Sequence, residues 1–259
     1  MSTAKLADAA FGAGPQCWPL PAARTADELW WRAVAAGGQG RYANARTDLQ
    51  ILIRHEGGRL ASLAHSTQAS FLRQLGWHQL AREVDGRAWA LAVDAESRAD
   101  ALIGLAADAL GVGRFAASDR LLQRARPWVQ TSDVPRLAVR LAWVCAELAM
   151  VSGAGAESVG HAERGVELAA TLGSARHAVK SDVVHAAALC SAGRYDESRA
   201  VADRALGAAQ TSGLVPLTWA LSCLLGDIGS AEHQTAEIAG FRDSAAATVQ
   251  TWGGVWAGR

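Results

Sequence analysis

The chain has 259 residues, half of them apolar, which is enough to bury the core of one large domain or of two small ones. Lysine plus arginine and aspartate plus glutamate number 25 each, which argues against the strongly basic surface that nucleic acids and anionic membranes attract. No apolar run reaches the roughly 18 residues of a membrane span or resembles the core of a signal peptide. We therefore expect a cytoplasmic protein that has no membrane partner and no nucleic-acid partner.

The usage of cysteine and lysine adds to this picture. The four cysteines stand alone, without the paired spacing of a zinc module or of a small disulfide framework, as is typical of a reducing cytosol. Only Lys5 and Lys180 are lysines, so arginine supplies nearly all of the positive charge. Together with the abundant Ala and Gly, this composition is typical of a high-GC bacterial genome.

The chain begins with a segment that lacks any repeated pattern. Trp18 and its neighbouring prolines predict an N-terminal arm over residues 1–24, ordered at least in part. Thr25, followed three residues later by Glu28, has the form of a helix capping box. We therefore expect a helical domain over residues 25–250, and a C-terminal tail over residues 251–259 that contains Trp252 and Trp256.

Within this domain a short motif recurs, as in "GRYANA" and "GRYDES": a glycine, a ring-bearing residue two positions later and a small residue five positions later. The first four copies are separated by 36, 37 and 80 residues, so a unit of 40 predicts a copy in the long gap, and a glycine without the ring stands there. Such a period indicates stacked structural repeats. Six glycines mark six units: Gly40, Gly76, Gly113, Gly153, Gly193 and Gly229.

Each unit is predicted to be a pair of helices joined at the glycine. In the third unit Leu102, Leu105 and Ala109 lie on one helical face that ends just before Gly113. A joint glycine would take the left-handed conformation that ends many helices. The ring two positions later would pack into the joint, as we expect for Tyr42, Phe115 and Tyr195.

The joint resembles that of the tetratricopeptide repeat (TPR), in which Gly, an aromatic residue and Ala are followed by two apolar positions. Ala45, Leu49 and Leu52 match this pattern, whereas Asp85 stands in the second unit where a large apolar residue belongs. The units of 36 to 40 residues are longer than the 34 of the family. They are similar to the longer helical repeats in the sensor regions of bacterial transcription regulators. The resemblance implies an all-α fold, a right-handed α-solenoid of about six TPR-like repeats.

The resemblance also implies which residues face the concave groove of the solenoid. Three tryptophans occupy the groove-facing position ten residues before a joint glycine, and four charged residues occupy other groove-facing positions. Arginine forks beside an apolar anchor would suit an acidic or carboxylate-bearing peptide. The alternative is that the charges lie on solvated helix faces. The predicted groove residues are Trp30, Arg73, Arg140, Trp143, Glu147, Lys180 and Trp219.

Other candidate sites are weaker. The stretch "GVGRFA" at 111–116 imitates a dinucleotide-binding fingerprint but follows a helix and not the strand that such a site needs. The seven histidines lack metal-binding spacing, and no nucleophile elbow is present. We expect no cofactor, no metal and no enzymatic activity. The leading hypothesis is a non-catalytic scaffold or regulatory adaptor that binds a protein or peptide; the alternative is a peptide or small-molecule sensor that acts on a transcription regulator.

Overall fold

The computed structural model describes residues 2–258, so Met1 and Arg259 lie outside the described part of the chain. Those residues form thirteen α-helices and no strand. The helices are α1 Ser2–Phe11, α2 Ala26–Gly38, α3 Tyr42–His55, α4 Gly58–Gln74, α5 His78–Leu91, α6 Ala95–Gly111, α7 Phe115–Thr131, α8 Arg136–Val151, α9 Gly155–Ala170, α10 Ala175–Ser191, α11 Tyr195–Thr211, α12 Val215–Ile228 and α13 Thr235–Thr251.

Helices α2 to α13 form six hairpins, and each of the six predicted glycines stands in the joint between two helices. Their φ angles lie between +75° and +88°, where a side chain would cost roughly 1–2 kcal/mol. The backbone then folds back on the preceding helix; for example, Gly153 N donates to Met150 O at 3.1 Å and Ala154 N to Ala149 O at 2.9 Å. The sixth joint differs, because Gly229 has a ψ of 162° and a longer loop precedes α13.

The aromatic residues of the joints do not share one environment. Tyr42 is 1% exposed and packs against Phe71 of the next hairpin, with ring centroids 5.1 Å apart. Phe115 is 40% exposed and Tyr195 is 50% exposed, so the expectation that their rings pack into the joint is wrong. The small residue of the motif is instead the constant feature, because it is fully buried in the first five hairpins: Ala45, Ala81, Ser118, Ser158 and Ser198.

The first helices of the hairpins form the inner layer of the solenoid. Successive first helices pack on one another in the order α2, α4, α6, α8, α10 and α12, and each also packs on its own second helix. The buried core between the layers consists mostly of alanine and leucine. Small side chains allow the helices to approach closely. The small rotation from one hairpin to the next curves the inner layer around a concave space.

The segment before the first hairpin crosses the solenoid. Helix α1 packs against α2 and also contacts α10 of the fifth hairpin. Ala175 N at the start of α10 donates to Gly12 O at 3.1 Å. The side-chain nitrogen of Gln39 donates to Pro15 O at 2.7 Å and to Cys17 O at 2.9 Å. The residues after α1 therefore connect the first hairpin with the fifth.

The residues after α13 make a matching connection to the beginning of the solenoid. Ala43 N donates to Trp252 O at 2.9 Å, and Ala257 N donates to Leu75 O at 2.8 Å. The indole nitrogen of Trp77 donates to Val255 O at 2.7 Å. The C-terminal residues thus lie against the first two hairpins, and the superhelix is closed at both ends of the chain.

Candidate ligand-binding cavity

The concave space contains a cavity of about 320 Å³. Side chains from all six first helices line it, together with Phe11 of α1 and His78 of α5. One part of the wall is apolar and partly aromatic, and the rest carries arginine, lysine and carboxylate groups. The main apolar members of the wall are Phe11, Trp30, Phe71, Ile103, Val144 and Leu217.

Six of the seven groove residues expected from the sequence line this cavity: Trp30, Arg73, Arg140, Trp143, Glu147 and Lys180. Trp219 is not part of the wall. Its ring packs against Trp256 of the C-terminal residues, with ring centroids 4.3 Å apart. The structure therefore corrects the expected position of Trp219, because the end of the chain meets α12 at this tryptophan.

The two tryptophans of the wall are held by hydrogen bonds. The indole nitrogen of Trp30 donates to Thr67 Oγ1 at 3.0 Å, and that of Trp143 donates to Ser181 Oγ at 2.8 Å. Trp143 also stacks on His177, with ring centroids 5.6 Å apart. Their polar atoms are thus satisfied within the protein, and the rings offer apolar surface to a ligand.

Arg73 is engaged by two carboxylates behind the cavity wall. Its guanidinium is ion-paired with Asp85 and, at 2.9 Å, with Asp108. Burial raises the pKa of Asp85 to about 7, although the Arg73 charge opposes this, and burial also raises the pKa of Asp108. Because a single arginine cation faces two fully buried carboxyl groups, Asp85 and Asp108 together retain a proton at moderately acidic pH. Arg73 thus lines the cavity, and its guanidinium is paired with carboxylates of the folded chain.

A row of charged residues crosses the inner layer at one position of successive units, seventeen residues before the joint glycine: Arg59, Glu96, Arg136 and Arg176. The carboxylate of Glu96 accepts from Arg59 Nε at 2.7 Å and from Arg136 Nη2 at 2.7 Å. Arg136 also lies 3.3 Å from Asp100, which is ion-paired with Arg140 as well. The charges alternate from the second unit to the fourth, and the alternation ends at Arg176.

Arg176 lacks a counterion within residues 2–258. Its side chain makes no hydrogen bond or ion pair there, and its buried Nε has no partner. The guanidinium carbon lies 5.8 Å from the centre of the Phe11 ring. Burial, with the nearby Arg136 charge, lowers the pKa of Arg176 to about 10, so the group is still cationic at neutral pH. The cavity wall therefore contains a desolvated cation without a counterion.

The neighbouring titratable groups do not add to this charge. Burial, with the charges of Arg176, Arg136 and Arg140, lowers the pKa of His177 well below its usual range. Its Nδ1 lies 2.8 Å from Ser174 Oγ, so a neutral imidazole is satisfied in place. Lys180 lies 3.7 Å from the carboxylate of Glu147. The uncompensated charge of the wall is that of Arg176.

Sequence reasoning missed Phe11, Arg136 and Arg176. The sequence carries a signal for the two arginines, because both stand seventeen residues before a joint glycine. Phe11 gave no signal, because it belongs to no repeat. Within residues 2–258 no three His, Cys, Asp or Glu side chains are grouped as a metal site would require. None of the helices in that range combines the length and apolar character of a membrane span.

Searches of protein-family models and of curated protein sequences gave no match. Among solved structures, the chain is similar to the crystal structure of Rap protein complexed with Competence and Sporulation Factor, with a TM-score of 0.65. The match covers 88% of this chain and 68% of that chain at 13% sequence identity. At this identity the likeness concerns the fold alone. It confirms the prediction of an all-α solenoid built from TPR-like helical repeats.

Proposed function

We propose that the protein is a non-catalytic regulatory adaptor, which binds a short segment of a partner protein or a free peptide in the concave cavity. The observation that carries this proposal is the cavity itself, to which all six first helices contribute and which combines aromatic walls with a cation lacking a counterion. Its volume of about 320 Å³ lies at the lower end of the range of roughly 300–1,000 Å³ for ligand sites. It accommodates one or two side chains of a segment.

The likeness to the Rap complex supports the same function. That structure contains Competence and Sporulation Factor, so a chain of similar fold has been crystallised with a bound factor. The chemistry of the wall also favours binding over catalysis. The hydroxyl of Ser174 is hydrogen-bonded to the imidazole of His177, but Ser174 is not part of the cavity wall. The pair therefore does not offer a nucleophile to a ligand in the cavity.

A selection from a library of random linear peptides tests this proposal. Ala107 of α6 lines the cavity, so Ala107→Trp should fill part of it. Ala200→Trp, on the exposed face of α11, is the matched control. Peptides selected on the wild type should bind the control equally well and bind Ala107→Trp at least tenfold more weakly. Equal binding to Ala107→Trp, or a selection that enriches nothing, would contradict the proposal.

The sensor hypothesis is a second candidate, and the closure of the superhelix favours it. Residues from both ends of the chain bridge distant hairpins. A ligand that enters the cavity would therefore shift these bridges and change the shape of the superhelix. Small-angle X-ray scattering of the protein with and without a selected peptide distinguishes the two functions. A changed radius of gyration supports the sensor, whereas an unchanged radius with the peptide bound supports the adaptor.

A further inference from the structure

We infer that the cavity contains a binding site for a single carboxylate group, located at Arg176 beside Arg136. This inference rests on the proposed function and names the chemical group that the ligand must carry. The sequence alone assigned an acidic ligand to Arg73, Arg140 and Lys180. Because those three cations have carboxylate partners in the folded chain, the structure transfers the role to Arg176.

The row of charges provides the first argument. Arg59, Glu96 and Arg136 alternate in sign, and each contact within this series is 2.7 Å long. The next unit places Arg176 beside Arg136, so two cations follow one another in a poorly solvated wall. Like charges in such surroundings repel more strongly than in water. A negative group at Arg176 would continue the alternation and relieve this repulsion.

The balance of charge provides the second argument, because it sets the charge of the ligand. Asp27 and Glu96 together neutralise Arg59 and Arg136. Asp100 neutralises Arg140, and Glu147 faces Lys180. His177 is neutral, so one positive charge remains uncompensated. A carboxylate brings one negative charge and two oxygens that match the guanidinium fork. A phosphate group would bring a second charge for which the wall holds no free cation.

The surroundings of Arg176 provide the third argument, because they orient its side chain. A Cβ on Gly38 would lie 2.9 Å from Arg176 Cδ, so the glycine leaves room for the arginine where α2 meets α10. The Phe11 ring lies 5.5 Å from the guanidinium of Arg136 and 5.8 Å from that of Arg176. Trp30 and Leu217 line the same cavity and provide apolar surface for the rest of the ligand.

The test uses N-acetyl-leucine and N-acetyl-leucinamide, which share the apolar side chain and differ in the carboxylate. Calorimetric titration should show that the wild type binds the acid at least tenfold more tightly than the amide. Arg176→Gln should remove this preference, and Gly38→Ala should reduce it by displacing the arginine. Arg120→Gln, on the exposed surface of α7, is the control and should retain the preference.

If Arg176 had a purely structural role, Arg176→Gln should lower the melting temperature of the ligand-free protein. The carboxylate site predicts otherwise. Removing a buried cation without a counterion should leave the melting temperature of the ligand-free protein unchanged or higher. A lower melting temperature of Arg176→Gln, together with equal binding of acid and amide to the wild type, would overturn the inference. A failure to bind either compound would overturn it as well.

Peptides from the selection separate this inference from the proposed function. Binding that depends on Ala107 but not on Arg176 would refute the carboxylate site and leave the adaptor function intact. An Arg176-dependent preference for N-acetyl-leucine, with no peptide selected, would refute the adaptor function alone. Amidation of the peptide C-terminus, and Asp→Asn or Glu→Gln changes within the peptide, identify the source of the carboxylate. If neither change weakens binding, the inference is wrong.

Discussion

At the scale of single residues, Asp85 shows how a departure from the repeat pattern is accommodated. It occupies a position where the TPR pattern has a large apolar residue, yet it is fully buried. A Cβ on Gly104 of the next hairpin would lie 2.3 Å from the Asp85 carboxylate, so this glycine makes the space that the carboxyl group fills. The sequence marked the anomaly, but its two compensating residues, Gly104 and Arg73, are close to it only in the folded chain.

Asp85 gives the first prediction, which concerns pH. Its pKa of about 7 in the folded protein exceeds the usual value of about 3.9, so folding favours the protonated form. The stabilisation that this form provides is complete below pH 4 and is lost as the pH rises to 7. Asp85→Asn lacks this dependence, so its free energy of unfolding should improve relative to the wild type by up to about 1.4 kcal/mol per pH unit.

Urea denaturation at several pH values between 4 and 7 measures this difference. Asp119→Asn is the control, because Asp119 is exposed on α7, and its difference from the wild type should stay nearly constant over this range. A constant difference for Asp85→Asn as well would mean that Asp85 is ionised throughout.

The second prediction compares two tyrosines that occupy the same position of their motifs. Tyr42→Ala should lower the free energy of unfolding by about 3–5 kcal/mol, because it removes a buried ring and the 2.8 Å hydrogen bond to Gln74. Tyr195→Ala should cost about 1 kcal/mol or less, because the Tyr195 ring is half exposed. Thermal or urea unfolding of the two variants measures the contrast, and equal losses would contradict the burial described here.

At the scale of helices and joints, the sequence predicted most of the architecture. The reason is physical: a positive φ depends on one residue, so regularly spaced glycines reveal the joints without knowledge of the tertiary structure. The exposure of the joint rings could not be predicted in this way, because it depends on what the next hairpin places over them. Phe71 covers Tyr42, whereas the side chains of Phe115 and Tyr195 remain partly exposed.

The third prediction isolates the conformational role of a joint glycine. An added Cβ would meet no atom within 4 Å at Gly193 or at Gly207, but only Gly193 has a positive φ, of +76°. Gly193→Ala should destabilise the protein by about 1–2 kcal/mol through backbone strain. Gly207→Ala, within α11, should stabilise it by about 0.5–1 kcal/mol. Melting temperatures of the two variants should shift in opposite directions, and a common direction would refute the strain argument.

The candidate site was only partly predictable from the elements. Six of its residues followed from the repeat register, because that register fixes the inner face of each first helix. Which of these residues are ion-paired did not follow from the register. The partners of Arg73 lie on α5 and α6, and the lack of a partner at Arg176 is a property of the assembled inner layer. Pairing between repeats is decided by packing and not by spacing.

At the scale of the whole molecule, closure of the superhelix is the main feature that the repeat pattern did not predict. The guanidinium of Arg41 lies between the rings of Trp18 and Trp252, 3.9 Å and 3.8 Å from their centroids. A residue of the first joint thus contacts tryptophans from both ends of the chain. Open repeat arrays lack such contacts, because each repeat touches its neighbours alone.

The fourth prediction tests this closure. Arg41→Ala should increase the radius of gyration in small-angle X-ray scattering and should speed proteolysis near both ends of the chain. Arg124→Ala is the matched control, because it also removes an arginine near a tryptophan, with Arg124 5.4 Å from the Trp89 ring, but this pair joins adjacent hairpins. The control should keep the wild-type radius. Identical scattering by the wild type and Arg41→Ala would show that other contacts hold the closure.

The position of Phe11 means that two separate parts of the chain build the cavity wall. The ring belongs to the segment before the first hairpin, yet it forms part of the cavity wall and lies beside two of the arginines. Under the proposed function, ligand choice would therefore depend both on the repeats and on the separate stretch before α2. A chimera that exchanges only this stretch should acquire a new ligand preference while every repeat keeps its sequence.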